Sequence, residues 1–291
     1  MISMRRLKEL NQKELEDLIH YVHELRENGL SYSSISSTIA KEKGIKVSKA
    51  TVLRWCKGLH NPFNRTKALN LHPSSALAYI IGVYFGDGSI LATGYKYKFK
   101  LKAIDKEFVE RTAKCLREIG ANPTMGYEEN KSRSNRWYVE VASKSLYTFL
   151  KQPKEKLFDV AKEHPREFLR GFFDSEGAIS WNKNHKSLFV SASNYDFEIL
   201  EFCKELLDTL GIHSTIYLSK RAGTPVKIRG EKYQYRESFY EIRIYRRDSI
   251  VKFYFQIGFT ITRKQEKLKS ILQELGKFSE HKRAPTYKNG W

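Results

Sequence analysis

AYIIGVYFGDGSI, residues 78–90, and EFLRGFFDSEGAI, residues 167–179, are two copies of one pattern. Gly82 matches Gly171, Asp87 matches Glu176, Gly88 matches Gly177 and Ile90 matches Ile179, each pair 89 residues apart. Phe108 and Phe197 keep that offset, and Gly120 in CLREIGANPT answers Gly211 in LLDTLGIHST. In a chain with 17 glycines, such agreement marks an internal duplication. Apolar periodicity gives each copy one plan: a helix (75–87 or 166–176), a strand pair, and a helix (105–119 or 195–210). Two more strands and a last helix (143–151 or 247–256) follow. The expected fold class is α+β, a pseudo-two-fold repeat of α-β-β-α-β-β-α.

Gly82 and Gly86 are four residues apart and share one helix face, as Gly171 and Ser175 do in the second copy. A glycine inside a helix costs about 1 kcal/mol relative to alanine, so its use in both copies needs a reason. Small residues on one face let two helix backbones approach closely. If the two helices pack side by side, Asp87 and Glu176 meet at their ends. The following glycines are expected to take the left-handed conformation that closes helices. Two adjacent carboxylates at negative helix ends repel each other and oppose the helix dipoles. That arrangement is a poor structural choice and a good site for a hard divalent cation such as Mg²⁺ or Mn²⁺. Taken singly, Asp-Gly and Glu-Gly are ordinary turn formers; the aligned pair on glycine-faced helices argues for a site.

IIGVYFGDG (80–88) and LRGFFDSEG (169–177) resemble the paired motifs of LAGLIDADG homing endonucleases, over about residues 75–275. Arg170 and Phe173 depart from the motif's letters but leave its helix-packing and acid positions intact. The resemblance implies two saddle-shaped sheets reading a long asymmetric DNA duplex, in a chain acting as a monomer. It implies a staggered double-strand break by metal-assisted hydrolysis, with Asp87 and Glu176 as metal-binding catalytic acids. A basic residue near the metals supports the chemistry in that family, and Lys102 is the candidate here. A non-catalytic DNA-binding regulator and an RNA maturase acting on intron RNA are alternatives on the same fold. An intein remnant is disfavoured, because the chain begins at Met1 and does not end in His-Asn.

The segment YKYKFKLKA (95–103) alternates strictly, placing Lys96, Lys98, Lys100 and Lys102 on one strand face. Such a ladder suits phosphates and base edges; the bland alternative is a lysine-protected edge strand. In the second copy, Asn182, Lys183, Asn184, His185 and Lys186 follow the motif. Tyr217, Ser219 and Arg221 come later, and Glu241, Arg243 and Tyr245 share a strand face. Residues 220–236 are an insertion with six basic residues and one acid, read either as a loop along the DNA flank or as a solvated loop. Lys227 and Arg229 are its further candidate DNA contacts. Residues 128–136 are a similar loop in the first copy. Residues 262–272 read as a terminal helix whose charges mark a solvent face.

Residues 13–28 read as a helix with Leu15, Leu18, Ile19, Val22 and Leu25 on one stripe. Ser33–Lys43 and a helix capped by Ser48 follow, the latter carrying Val52 and Trp55. Three short helices with a glycine-containing turn before the last follow helix-turn-helix logic and resemble the DNA-binding module of resolvases and transposases. That places Lys49, Thr51, Arg54 and Lys57 against DNA. The turn, Gly44 to Val47, is longer than usual. The expected division is a small all-α helix-turn-helix domain at 1–60, a linker at 61–74, LAGLIDADG-like halves at 75–155 and 156–275, and a basic tail at 276–291.

Composition sets the outer limits. The net charge is +19, divided as +6, +4 and +9 over residues 1–70, 71–150 and 151–291, so the excess is spread rather than confined to a tail. An extended polyanion is the expected partner, double-stranded DNA first. No apolar run approaches the ~20 residues of a membrane span, so no membrane partner is expected. The N-terminal stretch lacks the apolar core of a signal peptide. Cys56, Cys115 and Cys203 form neither a disulfide framework nor a zinc spacing. The expected location is intracellular. Nucleophile elbows and phosphate-binding glycine loops are absent.

Overall fold

Side-chain caps start most of the helices where the sequence offers Ser or Asn. Asn11, Ser31, Ser48, Ser74 and Ser143 each accept a hydrogen bond from a backbone N–H in the first turn they precede. A computed structural model of the chain describes residues 4–59, 69–93, 96–129, 134–228 and 230–276. It divides into two units, Met1–Lys67 and Ala68–Trp291. Among the described residues no helix is long and apolar enough to cross a membrane.

The N-terminal unit holds β1 (Arg5–Arg6), α1 (Gln12–Glu27), α2 (Tyr32–Lys43), β2 (Ile45–Lys46) and α3 (Lys49–Cys56). Val22, Ile35, Ile39, Val52 and Trp55 form its buried centre. It is not all-α, as the sequence suggested. The turn between α2 and α3 is long because it contains β2, which pairs in parallel with β1. Gly44 closes α2 at φ +62°, a conformation that favours glycine. Most of the expected linker falls outside the described residues, as do the tail from 277 and Arg229.

The larger unit begins with α4 (Ser75–Phe85), β3 (Ser89–Thr93), β4 (Lys96–Ala103) and α5 (Lys106–Glu118). β5 (Thr124–Glu128), β6 (Arg136–Ala142), α6 (Lys144–Leu150) and α7 (Lys154–Glu163) complete the first half. The second half runs α8 (Pro165–Glu176), β7 (Gly177–Asn182), β8 (Ser187–Asn194), α9 (Phe197–Thr209) and β9 (Thr215–Lys220). It continues through β10 (Pro225–Ile228), β11 (Glu231–Gln234), β12 (Phe239–Ile244), α10 (Arg247–Gln256) and α11 (Thr262–Glu274). Both four-stranded sheets are antiparallel and share one order, β3-β4-β6-β5 and β7-β8-β12-β9. This is a mixed α+β fold in which one helix-and-sheet plan occurs twice.

Three details differ from the sequence reading. The repeat has an eighth element: α7 answers α11. The insertion is not a bare loop, since β10 and β11 pair as an antiparallel hairpin. β4 is not an edge strand, because it pairs with both β3 and β6.

One apolar cluster spans both halves and centres on α4 and α8. The repeated glycines are where these two helices touch. A Cβ on Gly82 would lie 2.2 Å from the carbonyl oxygen of Phe168, and one on Gly171 2.3 Å from that of Tyr79. No side chain fits there, so the small-residue face follows from backbone contact. The outer helices tie the halves reciprocally. Lys154, at the start of α7, pairs with Asp196 at 2.7 Å and also with Glu198, at the start of α9. Arg263, in the first turn of α11, grips Asp105 with bonds of 2.6 and 2.7 Å, while the Thr262 N–H donates to Glu107 at the start of α5. Each half thus sends its last helix to the other half's second helix.

Candidate active site and nucleic-acid interface

Asp87 and Glu176 lie where α4 and α8 end. Glu176 is the last residue of α8; Asp87 is one residue beyond Gly86, the cap of α4. A Cβ on Gly86 would lie 2.3 Å from Cβ of Ser175 and 3.3 Å from Cγ of Glu176, so the residue before Asp87 rests on Ser175, beside Glu176. The following glycines are not left-handed. Gly177 is extended, at φ −74° and ψ 138°, and Gly88 does not have positive φ. They are glycines because the chain folds back on its own helix. A Cβ on Gly177 would meet the Phe173 carbonyl oxygen at 2.1 Å, and one on Gly88 the Val83 carbonyl oxygen at 2.8 Å.

The electrostatics are those of crowded like charges. Burial, and then the charge of Asp87, push the Glu176 carboxyl up to about 7, against the pull of Lys264. Asp87 keeps an exposed face, yet the protein packed around its carboxyl raises its pKa, while Lys264 and Arg136 lower it. Two oxygen-donor side chains that repel each other suit a hard cation, which takes one or two carboxylates and completes its shell with water and phosphate. Among the described residues no third His, Cys, Asp or Glu joins them.

Lys264 was not legible as part of this site. The ammonium is half-buried and donates to the carbonyl oxygens of Asp174 (2.9 Å) and Phe173 (3.5 Å) in the last turn of α8. Burial lowers its pKa. Beneath it, Asp174 is buried and accepts from the Tyr79 hydroxyl at 2.7 Å and the Thr260 N–H at 2.8 Å. The end of α4 is finished differently: Asn194 Nδ2 donates to the Phe85 carbonyl at 3.0 Å. The charges of α11 thus do not simply face solvent. Lys267 donates to the carbonyl of Ile179 in β7 at 2.8 Å.

The lysine ladder has the expected parity: Phe99 and Leu101 are buried, and the lysines stand on the other face. The cross-strand partners were not foreseen. Glu140 binds Lys98 at 2.8 Å and Lys100 at 3.2 Å, and Glu128 binds Lys102. Lys96 is exposed near the strand's start. The cations whose charge bears on Asp87 are Lys264 and Arg136, while Lys102 is committed to Glu128. In the second sheet, Arg243 bonds Glu241 at 2.6 Å and lies over the rings of Phe189 (4.8 Å) and Tyr217 (5.1 Å). Lys183 and Lys186 sit in the β7–β8 turn, with Lys186 at φ 43° and Lys183 3.7 Å from Glu274. Arg221 and Lys227 belong to the hairpin insertion. In α3, Lys49 and Arg54 are exposed, Lys57 follows as the cap, and the Thr51 hydroxyl meets that of Ser48 at 2.9 Å.

Residues 163–258 match the family model for LAGLIDADG-like domains. An uncharacterized protein of Methanocaldococcus jannaschii is 50% identical over 277 residues, which is 94% of this chain and 100% of that protein. A second uncharacterized protein of the same organism is 33% identical over 162 residues, 53% of this chain and 62% of its own length. Among solved structures, I-DmoI in complex with DNA and Ca is 20% identical, with a TM-score of 0.47, covering 67% of this chain and 97% of that one.

Proposed function

We propose that this chain, which belongs to one family with the full-length Methanocaldococcus jannaschii relative and carries a LAGLIDADG-like domain, is a site-specific DNA endonuclease. The observation that carries the reading is the meeting of Asp87 and Glu176 at the ends of two glycine-packed helices, with an antiparallel sheet following each acid. The substrate is a long, asymmetric duplex, and the product a staggered double-strand break. Asp87 and Glu176 would hold Mg²⁺ or Mn²⁺. A divalent cation there supplies charge stabilisation at the phosphate and lowers the pKa of a bound water.

The chain's own groups then have separable tasks. Lys264 places positive charge at the end of α8 and offsets part of the carboxylates' repulsion. Lys96, Lys98, Lys100 and Lys102 meet phosphates and base edges on the first sheet, and Arg243 does so on the second. Lys183, Lys186, Arg221, Lys227 and Arg229 reach the flanks. Lys102 remains the candidate for supporting the chemistry once DNA competes with Glu128 for it. In the N-terminal unit, Lys49, Thr51, Arg54 and Lys57 form a helix-turn-helix reading surface. The protein acts as a monomer, since one chain supplies both acids.

The test is cleavage selection from a randomised duplex library with Mg²⁺, run on the wild type, Asp87→Asn and Glu176→Gln. Recovery of one long cut sequence by the wild type alone supports the endonuclease and its two acids. Tight selection of a sequence that none of the three cuts overturns the nuclease and favours a regulator. Selective binding of a structured RNA without any cleavage favours a maturase.

A further inference from the structure

A cavity of about 590 Å³ runs along the free edge of β7, lined by Gly177, Ala178, Ile179, Arg263, Lys264 and Lys267. It begins at the residue that follows Glu176. β7 is the outer strand of its sheet, so this edge is not covered by a neighbouring strand. α11 covers it instead, and the first turns of that helix supply all three cations. Ala178 is exposed and lies on the same sheet face as Ser191 and Arg243, its cross-strand neighbours. One wall of the cavity, Ala178, therefore shares the face on which the second sheet would meet nucleic acid, while Gly177 and Ile179 lie on the core face.

Its chemistry is that of an anion site. Arg263 spends Nε and one terminal nitrogen on Asp105; a guanidinium has five N–H donors. Lys267 gives one N–H to Ile179, and an ammonium has three. Among the described residues neither Lys264 nor Lys267 is held in an ion pair, although the charges of Asp174, Asp105 and Asp87 bear on Lys264 from further off. The positive end of the dipole of the 13-residue α11 adds to that potential.

The site is one-sided. Lys154 of α7 plays the part of Arg263 in the reciprocal ties between halves. Yet α7 packs chiefly on α4 and α8, whereas α11 packs on β7, so its cations lie along that strand.

We propose that Arg263, Lys264 and Lys267 form a pocket for a backbone phosphodiester of duplex DNA, beside Glu176 and on that side only. It rests on the DNA-binding reading above and adds a contact that neither the paired motifs nor the sheets supply. It anchors one strand next to one of the two acids.

The probe is duplex affinity by fluorescence anisotropy across a salt series, with no divalent cation present. Each neutralised phosphate contributes about 0.9 to the slope of log K against log salt. Lys267→Gln is expected to lower that slope by about one and Lys267→Arg to restore it. Lys269→Gln, two residues on and across the helix, should leave it unchanged. A merely structural role for Lys267 would move the melting temperature but not the slope. An unchanged slope in Lys267→Gln, or an equal change in Lys269→Gln, overturns the pocket even if the wild type cleaves DNA. A slope loss in Lys267→Gln, with a wild type that never cuts under Mg²⁺, keeps the pocket while the nuclease reading fails. Thermal stabilisation by inorganic phosphate at fixed ionic strength, absent from Lys267→Gln, together with an unchanged DNA slope, would assign the cavity to free phosphate and overturn the duplex contact.

Discussion

Replacing Glu176 with glutamine should stabilise the cation-free protein, and only above the carboxylate's ordinary titration range. The side chain keeps its size and loses its charge. In the folded chain burial and the neighbouring Asp87 hold the Glu176 carboxyl at about 7, against 4.5 for the unperturbed group. Between those values the folded state binds more protons than the unfolded state, so stability falls as pH rises. Below 4.5 both states are protonated and the ionisation cost vanishes; above 7 both are ionised and the cost is complete. At 1.36 kcal/mol per pKa unit the full cost is about 3 kcal/mol, an upper bound because solvent still reaches the side chain. For a unit of this size 1 kcal/mol is roughly 2–4 °C in Tm, so the variant should melt about 5–10 °C higher at pH 8. At pH 4.5 the two proteins should melt within a degree or two, roughly the scale of a neutral surface change. Mn²⁺ or Mg²⁺ should then raise the wild type more than the variant if Glu176 holds the cation as proposed. Differential scanning calorimetry at two pH values, with and without cation, reads all of this. A variant no more stable than the wild type at pH 8, or stabilised equally at pH 4.5, would refute the buried-charge account.

Gly82→Ala and Gly171→Ala place a Cβ 2.2 and 2.3 Å from backbone oxygens that cannot swing aside, so each should cost ~3 kcal/mol in chemical denaturation. The reciprocal ties between halves are surface ion pairs; a double-mutant cycle on Arg263 and Asp105 should give a coupling of about 1 kcal/mol that fades with salt. Glu140→Gln frees Lys98 and Lys100, so duplex binding at low salt should tighten by about tenfold, with the gain lost at high salt. If Glu140→Gln instead weakens binding in a gel-shift titration, the carboxylate itself contacts DNA.

What the sequence disclosed and what it hid divide along a physical line. Features that recur at short range or at a fixed offset were legible: the glycines that let α4 touch α8, the acids that follow them, and the alternation that puts four lysines opposite Phe99 and Leu101. The repeat showed that the glycine face has a reason; the contact distances supply it. The Asp-Gly and Glu-Gly pairs are legible as special, but helix-closing habits predict a left-handed glycine there, whereas close return of the chain onto its own helix is what demands it. α7 had no such signal. It begins after Pro153 without a side-chain cap and lacks a glycine to mark its end. β1 and β2 are two residues each, too short for any period to register. Lys264 was hidden because its meaning is entirely long-range: it belongs to a run of charges that reads as a solvent face. Only the fold brings it to the last carbonyls of α8, 90 residues earlier in the chain. The same holds for Glu140, whose 40-residue reach to Lys100 turns an apparently free ladder into a partly neutralised one. Both copies keep the helix contact and an acid, but Lys264 of α11 finishes the end of α8, whereas the neutral Asn194 finishes the end of α4. The two acids therefore share a backbone frame without sharing an electrostatic environment. In this molecule pseudo-symmetry describes the scaffold, and asymmetry belongs to the charges that any DNA strand would meet.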